Sequence, residues 1–171
     1  MEYTFTLKYQ LAADDCDADM LVERLGASGC DDALVGIGLP GRLALEFTRE
    51  AGTAEAALRS ALDDVRRAVP SATLIEAAPD LVGLTEVARI AGVSRQNMRK
   101  LMVAHASRFP APIHEGSASI WHLADVLAWL QDEAGYALPQ DVLETARAAL
   151  QINVAKEQHR LTAAQPERLA G

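Results

Sequence analysis

The chain has 171 residues, of which 50% are hydrophobic, and a formal net charge of −8 at pH 7. This length allows one domain or two small ones, and this apolar content can fill a core, which excludes wholesale disorder. No apolar run approaches the roughly 20 residues that cross a bilayer. The N-terminus lacks the basic and apolar blocks of a signal peptide, so we expect a cytoplasmic protein that contacts no membrane.

The first 80 residues predict alternating strands and helices. The predicted elements are a strand at 3–11 with strict apolar–polar alternation, a short helix ending at Gly26 or Gly29, strands at 33–39 and 42–48 around Pro40-Gly41, a helix from Thr53 to about Val69 and, after Pro70, a strand at 72–77. The order β-α-β-β-α-β is that of the ferredoxin-like fold. That fold hosts many unrelated functions, so it assigns none here.

Residues 84–103 have helical apolar spacing on both sides of an interruption at Gly92. Thr85, followed by Glu86, is suited to start the first helix with a hydroxyl cap and an acid near the positive end of the helix dipole. Gly92 can adopt the backbone conformation of a tight turn, and Ser94 is a natural cap for the second helix. This pattern predicts a helix-turn-helix unit.

The second helix carries a polar face made of Arg95, Gln96, Asn97, Arg99 and Lys100. Arginine pairs with guanine O6 and N7, glutamine or asparagine pairs with adenine N6 and N7, and lysine or arginine holds phosphates. A cap hydroxyl and backbone amides at a helix start also suit a phosphate. The alternative is the solvated face of an ordinary surface helix.

Downstream, residues 109–112 (FPAP) break the helix, residues 113–121 read as a hairpin with Glu115-Gly116-Ser117 at its tip, and residues 123–130 (LADVLAWL) return to helical spacing. This arrangement resembles the winged helix-turn-helix domains of the MerR/excisionase (AlpA-like) superfamily over about residues 80–131. The resemblance implies DNA binding, with the helix from Arg95 in the major groove and the wing near the backbone or the minor groove. The DNA-binding residues that we predict are Thr85, Ser94, Arg95, Gln96, Asn97, Arg99, Lys100, His114 and Ser117.

We place the domain boundary at Pro79-Asp80 and expect an α+β chain in three parts. These are a ferredoxin-like βαββαβ domain (1–79), a winged helix-turn-helix domain (80–131), and a C-terminal helix and tail (132–171). Residues 140 to about 160 are helical in composition, with a narrow apolar seam at Leu143, Ala146 and Leu150 and, further along, Asn153 or Val154. Pairing of this helix with a second copy is the preferred interpretation, and folding back onto its own chain is the alternative. From Thr162 onward the sequence predicts a frayed end.

Charge is distributed unevenly along the chain. Residues 1–80 hold 7 basic and 15 acidic side chains, residues 81–131 hold 5 and 3, and residues 132–171 hold 4 and 6. The segment predicted to bind DNA is therefore the only basic one, and only mildly so. Because affinity rises with the number of phosphates neutralised, one copy should bind weakly, and we expect a homodimer on a two-fold symmetric site.

Other motifs in the chain give little support for a nucleotide site or a metal site. Residues 36–41 match G-x-G-x-x-G, but a strand follows where a nucleotide site needs a helix, so we interpret them as a turn. Residues 15–19 imitate the start of a calcium loop, yet Met20 stands where glycine is required. His114 and His122 flank the wing and can meet across it, although no histidines or cysteines have metal-ligand spacing.

Neither cysteine neighbours a histidine, as a catalytic thiol would require, and idle thiols are favoured over a Cys16–Cys30 bridge. Trp121 and Trp129 fall at core spacing. We therefore expect no enzyme, no metal and no cofactor.

Two functions follow from these observations. The first is a sequence-specific double-stranded DNA-binding transcriptional regulator, a repressor or an antitoxin-like autoregulator. The alternative is a protein-interaction module whose acidic N-terminal domain binds and neutralises a partner such as a toxin. A third possibility is that the N-terminal domain senses a small ligand. The sequence does not indicate which residues would form its pocket.

Overall fold

The computed structural model describes residues 1–164, and the predicted tail beyond them lies outside the described residues. Within this range the protein is an α+β structure in which every strand pairing is antiparallel. The elements are β1 (Glu2–Gln10), α1 (Ala18–Ala27), β2 (Ala33–Gly36), β3 (Arg42–Glu50), α2 (Ala54–Ala68), β4 (Thr73–Ala78), β5 (Leu81–Val82), α3 (Leu84–Ala91), α4 (Arg95–Ala104), β6 (His114–Glu115), β7 (Ser119–His122), α5 (Leu123–Asp132) and α6 (Gln140–Ala164).

The first 78 residues form a four-stranded sheet in the order β2-β3-β1-β4. Strand β1 is central and pairs with β3 along its whole length, from Glu2 opposite Glu50 to Gln10 opposite Arg42. The alternation of β1 is confirmed, because its odd-numbered side chains are buried and their neighbours are not. This face forms one core with α1 and α2, in which the rings of Phe5 and Phe47 stack 5.3 Å apart.

The predicted element order of this region is present, with local differences. Thr53 caps α2 by accepting from the Ala56 N–H at 3.1 Å, as its position predicts. Helix α1 runs through Gly26 and ends before Gly29, whose φ of +95° only glycine tolerates well. Strand β2 is shorter than predicted because the chain leaves the sheet at Gly36 and turns through Gly41 into β3. Of the G-x-G-x-x-G glycines, Gly36 ends β2, and Gly38 and Gly41 lie in the turn that leads to β3.

Asp17 explains the acidic cluster before α1. Its carboxylate accepts from the Met20 N–H at 3.0 Å and caps the helix. Asp15 instead pairs with Arg24 at 2.5 Å, and this contact lowers the pKa of the Asp15 carboxyl. Asp17 and the first-turn Asp19 thus serve the start of α1, where the helix dipole favours acidic side chains.

A second apolar cluster forms from residues 82–146 around a three-stranded sheet in the order β5-β7-β6. Helix α5 contributes more buried residues to it than any other element, since six of its ten residues are buried. Trp121 and Trp129 are 5% and 8% exposed, which confirms that both are core residues. Phe109 lies between them, with its ring centroid 6.1 Å from that of Trp121 and 5.0 Å from that of Trp129. The Phe-Pro segment that ends the preceding helix therefore also packs into this cluster.

Helix α6 belongs to both clusters. Leu143 and Ala146 are buried in the second, whereas Ala148 and Ala149 are buried in the first. The preference for pairing this seam with a second copy is therefore wrong, because the small side chains let α6 pack against α2 and the edge of β4 within the chain. The helix also continues through residues 162–164, where a frayed end was expected.

The remaining sequence expectations concern cysteines and membranes. Cys16 is exposed, Cys30 is buried, and both are free. Burial raises the pKa of the Cys30 thiol to about 11, which makes it an inert thiol near neutral pH. None of the helices within residues 1–164 is long and apolar enough to cross a membrane.

Candidate nucleic-acid interface

Helices α3 and α4 are joined by a three-residue turn, residues 92–94, as the sequence predicts. Gly92 has φ +73° and donates its N–H back to the Ala88 and Arg89 carbonyls, which ends α3 in a left-handed cap. Ser94 then opens α4, because its Oγ accepts from the Asn97 N–H at 3.1 Å. The turn and the second cap are thus both confirmed.

The cap predicted for α3 is wrong. The helix begins at Leu84, with Gly83 as its cap residue, and Thr85 lies inside the first turn without capping. The Glu86 carboxylate accepts from the Gly83 N–H at 3.0 Å instead. The start moves because β5, immediately before it, is held in the sheet by the pairing of Val82 with Trp121.

Helix α4 buries only one side chain completely, Met98, which is 0% exposed in the second cluster. The predicted polar residues on this helix all lie on its solvent side and are exposed: Arg95, Gln96, Asn97, Arg99 and Lys100. Their outward orientation follows from helical spacing, since Met98 and the half-buried Leu101 and Met102 occupy the opposite face. The polar face is therefore accessible along the helix.

The cations of this helix pair also make no salt bridge within the described residues. Within residues 1–164, six Lys or Arg side chains make no salt bridge, and four of the six lie on α3 and α4. These four are Arg89, Arg95, Arg99 and Lys100. Most basic side chains elsewhere in this acidic chain are neutralised by neighbours. Local charge at α3 and α4 is therefore more positive than the chain total suggests.

A groove of about 520 Å³ lies between α3, α4 and the β6–β7 hairpin. It brings together four of the predicted site residues, namely Thr85, Arg95, Arg99 and Ser117. Gln96 and Lys100 border an adjacent shallow depression with Arg99 and the exposed Val103. The structure thus places the wing tip beside the face of α4, although the two are separated by more than ten residues in sequence.

Glu86 also lines this groove, a position that sequence reasoning missed. Its carboxylate is the acceptor at the start of α3, so its role as a helix-start residue was foreseen, whereas its proximity to Arg95 and Arg99 was not. A negative charge at this point opposes the approach of a phosphate and favours a donor such as the cytosine amino group. The only sequence feature that could have pointed to Glu86 was its position in the first turn of α3.

The wing is a short hairpin whose tip lies one residue later than predicted. Glu115 belongs to β6, where it pairs with Ser119, so the tip is residues 116–118. His114 is exposed on β6, and its ring packs over Gly116, where a Cβ would lie 2.7 Å from Nε2. Trp121 anchors β7 by donating from Nε1 to the Pro110 carbonyl at 2.9 Å. The wing is therefore fixed at its base and exposed at its tip.

His114 and His122 do not meet across the hairpin, a contact that the sequence only left open. In the register of the two strands His114 lies opposite Ile120, whereas His122 pairs with Leu81 and turns its ring to Asp80. No cluster of three or more His, Cys, Asp or Glu side chains within the described residues is arranged to hold a metal ion.

Comparisons of the chain with protein-family models, with curated proteins and with solved structures found no significant match. The geometry of the groove and of α4 therefore carries the functional argument by itself.

Proposed function

We propose that this protein is a sequence-specific double-stranded DNA-binding transcriptional regulator, with α4 as its recognition helix. One observation carries the proposal: an exposed row of guanidinium and amide groups on the second helix of a tight helix-turn-helix pair, whose cations make no salt bridge within residues 1–164. In this proposal residues 1–79 form a ferredoxin-like domain, residues 80–131 a winged helix-turn-helix domain of the MerR/excisionase type, and residues 132–171 a C-terminal extension.

The roles within the helix follow from side-chain chemistry. Arg95, Gln96, Asn97 and Arg99 read base edges in the major groove, where fork-shaped donors and amides distinguish guanine from adenine. Lys100 holds a phosphate as a point charge, and Ser94 does so through its hydroxyl proton, since its oxygen already accepts from the Asn97 N–H.

The wing supplies backbone contacts beside this helix. Ser117 at its tip and Thr85 at the start of α3 line the same groove as Arg95 and Arg99, where their hydroxyls add phosphate contacts against the opposing charge of Glu86. His114, exposed on the same hairpin, extends this surface. The wing carries no Lys or Arg between residues 113 and 121, so α4 provides most of the charge.

A dimer fits this balance. Four unpaired cations release few counterions in one copy, whereas two copies on a symmetric site double the phosphates neutralised. Because the first half of the α6 seam is buried within the chain, the dimer contact lies on another surface.

The experiment is a gel shift with the DNA upstream of the protein's own gene across a salt series from about 50 to 300 mM, with unrelated DNA of equal length as competitor. Arg95→Ala and Arg99→Ala should each weaken specific binding by roughly 1–3 kcal/mol, about five- to 150-fold. Arg147→Ala is the matched control, because Arg147 is an exposed and unpaired arginine on α6. Equal binding by all three variants and the native protein would rule out base reading by α4.

A second function, a protein-interaction module, is favoured by an exposed apolar strip on the acidic N-terminal part. Leu34 on β2 and Leu39 in the following turn are 73% and 74% exposed, and Ile37 between them is 44% exposed. Strand β2 is an edge strand, which offers unpaired backbone groups beside this strip. Such an edge in an acidic region suits a basic partner that adds a strand.

Co-expression with the products of neighbouring genes tests this function. We expect a basic partner to co-purify with the native chain and to be lost in Leu34→Asp/Leu39→Asp, while DNA binding is retained. Retention of the partner by that double variant would place the contact elsewhere.

A further inference from the structure

A second groove lies between α2, β4 and α6, and it shares no lining residue with the groove beside α4. Its volume is about 430 Å³, within the range of small-molecule sites. Its walls are mostly aliphatic, and the larger apolar side chains that line it are Leu62, Val65, Val69, Leu74 and Ile152. The groove exists because α6 folds back onto the N-terminal sheet, so sequence reasoning named none of its residues as a site.

Tyr9 of β1 lines this groove and is 5% exposed. Its Oη is closed off from solvent and has no hydrogen-bond partner within residues 1–164. Burial raises the pKa of this phenol well above its usual value, and the charge of Arg66, another lining residue, acts on it in the opposite direction. The hydroxyl is therefore a protonated donor without an acceptor, a state that folded proteins rarely leave uncompensated.

The rim of the groove is basic. Arg59, Arg66, Lys156 and His159 line it, and no carboxylate from residues 1–164 does, in a chain that carries 24 acidic and 16 basic side chains. Three of these cations have acidic partners outside the lining. Arg59 contacts Glu55 at 2.8 Å, Arg66 contacts Asp63 at 3.5 Å and Lys156 contacts Glu157 at 3.2 Å.

The Arg59 and Arg66 pairs are exposed on both sides, so they hold their arginines weakly. Both guanidinium groups can therefore turn toward an anion in the groove at small cost. Lys156 also donates to the Ile75 carbonyl, which fixes it near the mouth.

We propose that this groove binds a small organic anion, a carboxylate on an aliphatic or aromatic frame, with its charge between Arg66 and Lys156 and its apolar body against α2, β4 and α6. The Tyr9 hydroxyl supplies a donor that lacks an acceptor and that a ligand oxygen would satisfy. An uncharged hydrocarbon leaves both the cations and this donor unused. Inorganic phosphate leaves the aliphatic walls exposed to water. The inference is independent of DNA binding, since it rests on another surface.

Isothermal titration calorimetry of the full chain at pH 7 and constant ionic strength tests the site, with 1-naphthoate and octanoate as probes. 1-Naphthalenemethanol and octanol are the uncharged counterparts, and inorganic phosphate is the anion without an apolar body. We expect at least one carboxylate to bind at one site per chain, and its alcohol and phosphate to bind at least tenfold more weakly.

Variants locate the site. Arg66→Gln should weaken carboxylate binding roughly tenfold or more, as loss of a hydrogen bond to a charged group does. Tyr9→Phe keeps the ring that fills the core and should weaken it roughly two- to tenfold. Arg147→Gln is the control, because it removes an exposed charge from α6 at a position outside the groove and should leave affinity unchanged.

Three results would overturn the inference. The first is no carboxylate binding at millimolar concentration. The second is equal binding of each carboxylate and its alcohol. The third is an affinity that Arg66→Gln and Tyr9→Phe leave at the native value, which would place the bound carboxylate elsewhere.

Discussion

The Asp80 carboxylate contacts the His122 ring across the junction between the two apolar clusters, with Oδ1 2.7 Å from Nδ1. Its other oxygen accepts from the Asn153 amide nitrogen on α6 at 2.8 Å, and its backbone carbonyl accepts from the Leu123 N–H at 2.7 Å. Asn153 in turn bonds both the N–H and the carbonyl of Ala77 on β4. One residue at the predicted boundary thus connects the first sheet, the wing and the last helix.

We expect Asp80→Ala to lower the free energy of unfolding by about 2–4 kcal/mol. Its side chain is 0% exposed, and its loss removes the acceptor that the half-buried Asn153 amide and His122 ring share. Urea denaturation measures the change, with Asp31→Ala as the control because Asp31 is exposed and unpaired. Equal stability of the two variants would show that the junction is held by apolar packing alone.

Tyr3 Oη donates a hydrogen bond to Glu144 Oε2 at 2.7 Å. Because this bond needs a protonated phenol and an ionised carboxylate, its contribution to stability should be lost at both low and high pH. Bonding to Tyr3 lowers the pKa of Glu144, so this contribution is complete above the ordinary carboxyl pKa and is lost as pH falls through the lowered value. The same contact raises the pKa of Tyr3, so the contribution is complete below the ordinary phenol pKa and is lost as pH rises through the raised value.

Tyr3→Phe removes both effects, and its unfolding free energy should vary less with pH than that of the native chain. Urea unfolding from about pH 3 to pH 11 measures the two profiles. Tyr136→Phe is the control, because the Tyr136 hydroxyl makes no hydrogen bond within the described residues. Parallel profiles for Tyr3→Phe and the native chain would contradict this assignment.

Gly92→Ala should destabilise the chain by about 1–2 kcal/mol, the cost of holding a side-chain-bearing residue in the left-handed region. The cost is conformational, since a Cβ at Gly92 meets no atom within 4 Å. Gly83→Ala is the matched control, because Gly83 is equally open but has φ −88°. It should change stability by less than about 1 kcal/mol. Thermal or urea unfolding compares the pair, and similar losses would point to packing instead.

Glu86→Gln should raise DNA affinity, provided that the groove beside α4 faces phosphates. Glutamine retains an acceptor for the Gly83 N–H and removes a negative charge beside Arg95 and Arg99. We expect an increase of roughly two- to fivefold at about 50 mM salt that shrinks as salt screens the charge. Fluorescence anisotropy with labelled duplex measures it, with the exposed Glu50→Gln as the control. An unchanged affinity would show that this groove does not face DNA phosphates.

Local structure was largely predictable because local rules fix it. The alternation of β1 requires one buried face, Thr53 and Ser94 are placed to cap helices, and Gly92 permits a turn that other residues resist. The exposed face of α4 follows from the same helical spacing that buries Met98. None of these features depends on a distant part of the chain, so the sequence alone determined them.

Tertiary structure decided everything that depends on which elements meet. The apolar seam of α6 slightly favoured a dimer contact over an internal one, and only its packing on the two apolar clusters of the same chain selects the internal one. Asn153 is a polar residue in that apolar seam, and its position is explained by its hydrogen bonds to the backbone of Ala77 on β4. The start of α3 likewise depends on the pairing of β5 with a strand far along the chain. Side-chain periodicity specifies which face is buried, whereas the partner of that face is set by long-range packing, which periodicity does not encode.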